Sequence, residues 1–366
     1  MAPGFQEQSG VEMPVTVGLE IGGSAVRAAV VDRGKGGYVL RRFAEMPVPD
    51  GSVNSGEILD EAAVGEAVAS LWKRNKLPTR RVVVGTANQR LVVRRVDVPL
   101  MDDAELSASL PYQVQDSIPI SVEEALLDYI TLEQFTTPDG EPMTSILVVA
   151  IHRETVNTLL RVVGTAKIRP EAVDLQAFGL VRATFGLEPA IGEPLQAIVD
   201  IGATLTQVVI ARGGSAEFVR LLPRGGDDFT EALMDGLGLD REDAEELKRS
   251  TGVAAEGMPD ADGNDAKALR LLTRQADSLV DDIKGSLDFY VGQVGDEQLS
   301  RVVVSGNGAR LPHLANRLST AIGITVHPAK VLDNVDIGRV QLTDEEMLAA
   351  QPVLPTSVGL ALWGLA

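Results

Sequence analysis

The sequence predicts an α/β fold of two lobes, the second built on the plan of the first, and three observations carry that expectation. Residues 20–31 read EIGGSAVRAAVV and residues 200–211 read DIGATLTQVVIA. Each has an acid, Ile, Gly, a second small residue, a hydroxyl and a β-rich tail, so one architecture is written twice. The chain has 366 residues, more than a single hydrophobic core usually organises. Hydrophobic residues make up 45% but aromatics only 4%. The cores are therefore filled by Val, Leu, Ile and Ala, which suits α/β layers better than a base-stacking platform.

The elements follow in order. Residues 1–14 lack the basic and apolar regions of a signal peptide and read as a disordered leader. From Val15, VTVGLEI, AVRAAVVD and YVLRRFAEMPV predict three antiparallel strands joined by tight Gly turns. EILDEAAVGEAVASLWKRNKLP is helical to Pro78, and RRVVVGTANQRLVVRRVDVP makes two strands. MDDAELSASLPYQVQDSIP is a helix with Asp102 and Asp103 at its N-terminal dipole. Two strands flank the turn TTPDGEP, and RETVNTLLRVVGTAKI is a helix. EAVDLQAFGLVRATFG then gives a short strand feeding a helix, and from Pro194 the three-strand pattern restarts. A helical stretch runs from Asp227 to about Tyr290, with Leu269, Leu272, Ala276, Leu279, Ile283 and Leu287 on one face. RVVVS is a strand, GNGA a turn and LPHLANRLSTAIG a helix. The expected division is a first lobe of 15–55 with 169–193 and 352–366, and an inserted unit of 56–168. The second lobe comprises 194–230 with 298–351, and carries a helical subdomain of 231–297.

Composition narrows the chemistry. A formal charge of -19, from 52 acidic and 33 basic residues, repels a nucleic-acid backbone. A small phosphate ligand stays compatible, because backbone N–H groups and a divalent cation neutralise it locally. The absence of cysteine removes disulfides, thiolate zinc sites, iron-sulfur clusters and Cys nucleophiles, and fits a reducing cytoplasm. No stretch approaches the roughly 18 apolar residues of a membrane span, and the apolar segment 357–366 reads as a helix closing a core. His152, His313 and His327 have no second ligand at metal spacing.

The repeated turn is where chemistry concentrates. In each copy a strand ends in an acid and passes through a tip without a bulky Cβ into a second strand. Gly22, Gly23 and Gly202, with the small Ala203, let phosphate oxygens approach backbone N–H groups, and Ser24, Thr204 and Thr206 offer hydroxyl donors. Glu20 and Asp200 would hold a hydrated Mg²⁺ rather than touch phosphate. One such hairpin is an ordinary Gly turn; two in matching three-strand contexts are a pair that grips one ligand. Gly306, Asn307 and Gly308, between a strand and a helix, leave a flat ledge against which a purine can lie. Glu245 and Lys248 share a helix face and reach a ribose. Taken singly, an αL turn before a helix and a solvated charge pair explain these two features equally well; their order along the chain favours the binding reading.

This ordered set resembles the actin-like ATPase superfamily of actin, the large heat-shock chaperones, sugar kinases and FtsA. More finely, the chain looks like the PilM family, the cytoplasmic actin-like component of type IV pilus assembly. The stretches that carry the likeness are 17–31, 82–99, SIPISVEEALLDY at 117–129, 173–186, 200–230 and DREDAEELKRS at 240–250. The resemblance implies a duplicated actin-like (ribonuclease H-like) ATPase fold of two lobes and four subdomains, with an FtsA/PilM-type inserted subdomain that binds partners. It implies ATP and Mg²⁺ between the lobes, adds Gly225 and Gly226 to the nucleotide side, and puts a water-orienting Asp174 or Gln176 in the connecting segment. Turnover would be slow at most. The implied partners are the N-terminal cytoplasmic tail of a PilN-like membrane protein and other pilus inner-membrane components, with self-association left open. The implied location is the inner face of the cytoplasmic membrane, without insertion. The chain departs from the family pattern in having Glu20 for the usual Asp, Arg27 for the Lys, and Gln113 for an acid on the inserted-domain helix. Two alternatives share the fold. A small-molecule kinase needs a general-base Asp that no motif between Asp97 and Asp174 supplies, and an FtsA-like filament former carries a C-terminal lipid anchor not found here.

Overall fold

Two buried strand hairpins found the two halves. In a computed structural model that describes residues 15–34, 36–187, 192–255, 263–295, 297–331, 335–338, 340, 342–363 and 365, the first hairpin is β1 (Thr16–Ile21) and β2 (Ala25–Arg33), followed by β3 (Tyr38–Pro47). The leader expected at 1–14 lies outside the described residues. Every residue of β1 is buried, so this strand is central, as near-continuous apolar runs in α/β sheets are.

A short hairpin of β4 (Val53–Asn54) and β5 (Glu57–Ile58) precedes helix α1 (Glu61–Asn75) and strand β6 (Val82–Thr86). Helix α1 starts where the Asp60 side chain accepts the Ala63 N–H, and stops at Lys76 in the left-handed conformation. Strand β7 (Val92–Pro99), helix α2 (Asp103–Val114), and strands β8 (Ala125–Thr136) and β9 (Pro142–His152) form a separate unit, followed by helix α3 (Arg153–Gly164). Asp102 and Asp103 stand at the N-terminus of α2 as expected, and Asp102 caps it, its side chain accepting the Glu105 N–H. Strand β10 (Ala172–Leu175) and helix α4 (Gln176–Phe185) lead to the second half.

There β11 (Leu195–Ile201), β12 (Thr206–Arg212) and β13 (Ser215–Leu222) repeat the opening, and helices α5 (Gly226–Leu237), α6 (Arg241–Thr251) and α7 (Gly263–Val291) follow. The chain closes with β14 (Leu299–Ser305), α8 (Leu314–Ile322), β15 (Val326–Pro328), β16 (Val335–Ile337), α9 (Asp344–Ala350) and α10 (Leu354–Ala361).

The sheets run β10-β6-β1-β2-β3-β16 in the first lobe, β13-β12-β11-β14-β15 in the second, and β7-β9-β8 in the inserted unit. Helices α1 and α3 cover one face of the first sheet, packing Val64, Val68, Leu71, Leu159 and Val162 on Val17, Leu19, Val82 and Val84. Helix α10, all of whose residues are buried, lies on the other face beside α4. Helix α4 also joins the lobes: Leu180 and Val181 share a core with Ile198, Val209 and Val303 of the second sheet and Leu147, Val149 and Ile151 of the inserted one. Among the described residues no helix is long and apolar enough to cross a membrane.

Two expected boundaries move. The span 56–168 is not one inserted unit, because β6 pairs in parallel with β1 and α1 and α3 pack on that sheet; the separate sheet and its helix occupy 92–152. The span 298–351 does not stay with the second lobe. Strand β16 pairs with β3, and Met347 and Ala350 of α9 pack with Leu40, Phe43 and Leu354 of the first. The reason is the same in both cases: parallel pairing is non-local, and a strand's own pattern does not name its sheet.

Candidate functional site

The tips of the two long hairpins meet. A Cβ on Gly23 would lie 2.8 Å from Thr204 Oγ1 and 3.4 Å from the Ala203 Cβ, so glycine is what lets the turns come this close. The N–H of Gly22 closes its own turn on the Ala25 carbonyl at 3.0 Å, and that of Gly202 does the same on Leu205 at 2.9 Å. The amides of Gly23, Ser24, Ala203 and Thr204 make no backbone hydrogen bond among the described residues and remain as donors at the tips. From behind, the first amides of α5 brace the second tip: Gly226 donates to the Gly202 carbonyl at 2.9 Å and Asp227 to that of Ala203 at 2.8 Å. Gly225 thus belongs to the support rather than to the cleft surface.

At the end of β14 the chain turns through Gly306, whose φ is +83° and whose Cβ, if it had one, would lie 2.3 Å from the Ile201 carbonyl oxygen. Glycine alone fits that conformation and that contact. The ledge Gly306–Gly308 is thereby pressed onto the base of the second hairpin. On α6, Glu245 and Lys248 stand one turn apart as expected. Lys248 Nζ donates to Glu245 Oε1 (2.5 Å), Thr230 Oγ1 (2.6 Å) and the Gly226 carbonyl (3.0 Å). Burial works to raise the Glu245 carboxyl, but the hydrogen bonds from Lys248 and Thr230 outweigh it and hold the group below its usual value.

Three cavities open here. An inner cleft of about 590 Å³ including its mouth lies between the tips and is lined by Glu20, Gly22, Gly23, Ser24, Gln176, Asp200, Gly202, Ala203, Thr204, Gly306 and Asn307. It continues into a wider cavity of about 2500 Å³ with its mouth, bounded by Ser24, Ala203, Gly226, Glu245, Lys248, Asn307 and Gly308. On the far side of the first hairpin, a groove of about 730 Å³ runs between β5, the end of β6 and the start of α3, beside His152 at the end of the inserted sheet; Gly56, Thr86, Asn88, Arg90, His152, Glu154 and Thr158 line it.

Besides Gly225, two expected site residues fall outside. Asp174 is ion-paired to Arg182, whose Nε donates to the Gly359 carbonyl at 3.0 Å, so its carboxylate is used in packing α4 against α10. Thr206 is fully buried and its hydroxyl donates to the Arg224 carbonyl at 2.8 Å, because as first residue of β12 it faces inward.

The cleft also brings in Arg27, noted in the sequence only as a departure from the family pattern, and Gln207, not singled out there. Glu20 pairs across the hairpin with Arg27, and Asp200 pairs at the same register with Gln207. The signal was available: each partner stands seven positions after its acid, the only strongly polar side chain in an apolar run. Arg27 Nη1 donates to Glu20 Oε1 at 2.9 Å, while its Nε is paired with Glu45. Gln207 Nε2 donates to Gln176 Oε1 at 3.3 Å, and Gln176 Nε2 donates to the Ile21 carbonyl at 3.2 Å. Burial pushes the Glu20 carboxyl up to about 7 against the pull of Arg27, with Asp200 adding repulsion. Burial also raises Asp200, although Ser305 Oγ donates to its Oδ1 at 2.6 Å. Glu20 Oε2 is buried with no hydrogen-bond partner.

These features match a known family. The model of the type IV pilus assembly protein PilM family covers residues 18–365. The chain belongs to that family. A solved structure of a PilM–PilN type IV pilus biogenesis complex is 25% identical, covers 96% of this chain and 98% of its own, and superposes with a TM-score of 0.80. The ethanolamine utilization protein EutJ from Carboxydothermus hydrogenoformans, 16% identical over 96% of this chain and 90% of its own, gives 0.55. MreB5 of Spiroplasma citri bound to AMPPNP, 12% identical over 97% of both, gives 0.54. The last two share the fold alone, and the family's fold is the duplicated actin-like one expected.

Proposed function

We propose that this family member is an ATP- and Mg²⁺-binding cytoplasmic scaffold of the type IV pilus machinery, whose nucleotide state sets its hold on the tail of a PilN-like inner-membrane protein. The observation that carries the reading is the meeting of two mirrored tips, with donors free on both, at the mouth of one cleft. Tip amides with the Ser24 and Thr204 hydroxyls would cradle the phosphates, as backbone nests do elsewhere. The ledge Gly306–Gly308 would lie against the purine. Glu245, fixed by Lys248, would accept from the ribose; Lys248 itself is a positioning residue.

The cleft also fits a magnesium ion. Its carboxylates are Glu20, with an unpartnered buried oxygen, and Asp200 opposite, and Mg²⁺ keeps most of its waters and asks for one or two carboxylates. Bound there, the ion would neutralise phosphate charge. Asp200, held by the neutral side chains of Ser305 and Gln207, is the freer ligand, whereas Glu20 shares its carboxylate with Arg27. Gln176 is the residue of the connecting segment placed to orient a water, and its amide is already engaged on both sides, which fits slow turnover at most.

The groove between β5, β6 and α3, beside the inserted sheet, is the site for the tail, which would hold the protein at the inner face of the cytoplasmic membrane. The 25%-identical PilM–PilN complex supports a PilN-like partner, and the groove is chosen for its place beside the inserted sheet. Calorimetric titration of ATP in Mg²⁺ buffer tests the reading. Wild type should bind, and Asp200→Ala should bind roughly 10- to 100-fold more weakly, the worth of one charge-assisted ligand. No binding by wild type, or equal binding by the variant, refutes it.

A further inference from the structure

The nucleotide cleft and the partner groove share a wall made by Ile21, Ala87 and the Ser55–Gly56 turn between β4 and β5. Ile21, Gly56 and Ala87 line both cavities. Ser55 is buried and held at φ +47°, a left-handed conformation that residues with a side chain seldom adopt. The bonds of the turn explain why it tolerates that conformation. On the cleft side, the Ser55 N–H donates to Thr204 Oγ1 at 3.0 Å, at the tip of the second hairpin. On the groove side, the Ser55 carbonyl accepts the Gln89 N–H at 3.0 Å, and Asn88 Nδ2 reaches the Gly56 carbonyl at 3.4 Å. A Cβ on Gly56 would lie 1.7 Å from the Ala87 carbonyl oxygen, so the turn is wedged against the segment that carries Asn88 into the groove.

We propose that this turn is the positioning element through which occupancy of the cleft is felt in the groove, with Ser55 and Thr204 as its two ends. The proposal rests on the reading of cleft and groove given above. A threonine hydroxyl accepts and donates at once. When Thr204 donates its proton to a phosphate oxygen, the bond it accepts from Ser55 strengthens, because hydrogen bonds in a chain polarise one another. The strained turn is then held more firmly, and the Gln89 and Asn88 backbone with it. An occupied cleft therefore offers the tail a groove wall that is already ordered, which raises its affinity.

The test measures ATP affinity in Mg²⁺ buffer with and without a saturating synthetic peptide of the N-terminal tail of the same organism's PilN. In wild type the ratio of the two affinities should be about 5-fold or more, within the usual range of coupling. Thr204→Val, which removes the acceptor, and Ser55→Gly, which adopts φ +47° without strain and loosens the turn, should both bring the ratio within about 2-fold of one. Thr204→Ser, which keeps the hydroxyl, should restore it. Hydrogen exchange at the Ser55 and Gln89 amides should slow on ATP addition in wild type. A ratio that survives in Ser55→Gly and Thr204→Val overturns the relay and leaves the scaffold reading standing. If Thr204→Val binds too weakly to titrate, Ser55→Gly decides alone. Failure of wild type to bind ATP or the peptide, or a wild-type ratio of one, removes the coupled reading and the relay together.

Discussion

Helix α10 crosses α4 backbone to backbone at Gly359 and Gly179, and a single methyl group placed on Gly359 should unfold the first lobe many degrees earlier. A Cβ added to Gly359 would lie 1.7 Å from the Gly179 carbonyl oxygen, 2.4 Å from its carbonyl carbon and 2.8 Å from its Cα. All three are backbone atoms, so no rotamer change relieves them. Ordinary contact needs about 3.4 Å, and the helices would have to part by nearly 2 Å. The move is resisted on both sides. Behind α10, the Gly18 position of β1 is as tight against the Ser357 carbonyl oxygen, and behind α4 the side chains of Leu180 and Val181 are locked into the core shared by both lobes. Overpacking usually costs 1–3 kcal/mol, and a backbone-to-backbone clash belongs at the upper end, about 3 kcal/mol. At roughly 2–4 °C per kcal/mol for a lobe of this size, Gly359→Ala should lower the melting temperature by about 6–12 °C in calorimetry or circular dichroism. Gly164→Ala is the control: no atom lies within 4 Å of its added Cβ, so it should be neutral or stabilise by up to about 1 kcal/mol. If Gly359→Ala unfolds within about 1 kcal/mol of wild type, the close crossing described for these helices is wrong.

Two further outcomes follow from the cleft. Glu20 titrates at about 7 rather than 4.5 because burial disfavours its charge. A raised acid stabilises the fold fully below about 4.5 and loses that contribution as pH climbs through 7, a swing of about 3 kcal/mol. Urea unfolding between pH 4.5 and 8.5 should therefore show Glu20→Gln gaining on wild type by up to that amount; parallel profiles would contradict the buried, charge-averse placement. At the tips, Gly23→Val would drive a branched side chain into Thr204, whose Oγ1 would already be 2.8 Å from the Cβ. It should weaken ATP binding at least about 10-fold in the same titration, and unchanged affinity would mean that the tips do not close on the nucleotide.

The hairpins, their tips and the ledge could be read before folding because each rests on local chemistry: glycine where backbones approach, hydroxyls beside it, an acid at a strand end. What could not be read was pairing between distant segments. VVVGT at 82–86 is a five-residue apolar run like many others, and only its parallel register with β1 puts it in the first sheet. The three residues of β16 are too few to carry any period. Asp174 was expected to orient a water because the resemblance puts that role in the connecting segment, but Arg182, eight residues on, claims it. Thr206 sits two positions past Thr204, where the chain has entered the strand and the side chain faces inward.

The most informative signal lay in the duplication itself. Positions 20 and 27 correspond to 200 and 207, and the register sets each acid across from its partner in both copies. The copies then diverge. In the first, Arg27 binds both buried Glu20 and exposed Glu45, so the acid is held by a cation that cannot leave without stranding the buried carboxylate of Glu20. In the second, the partner is neutral Gln207, and the acid is held by a serine hydroxyl. One plan, written twice, thus gives the cleft a carboxylate already spent on internal charge balance and another that a cation can still recruit. That asymmetry is why Asp200, rather than Glu20, is the position at which losing a carboxylate should be felt first in binding, while losing Glu20 should be felt first in the dependence of stability on pH.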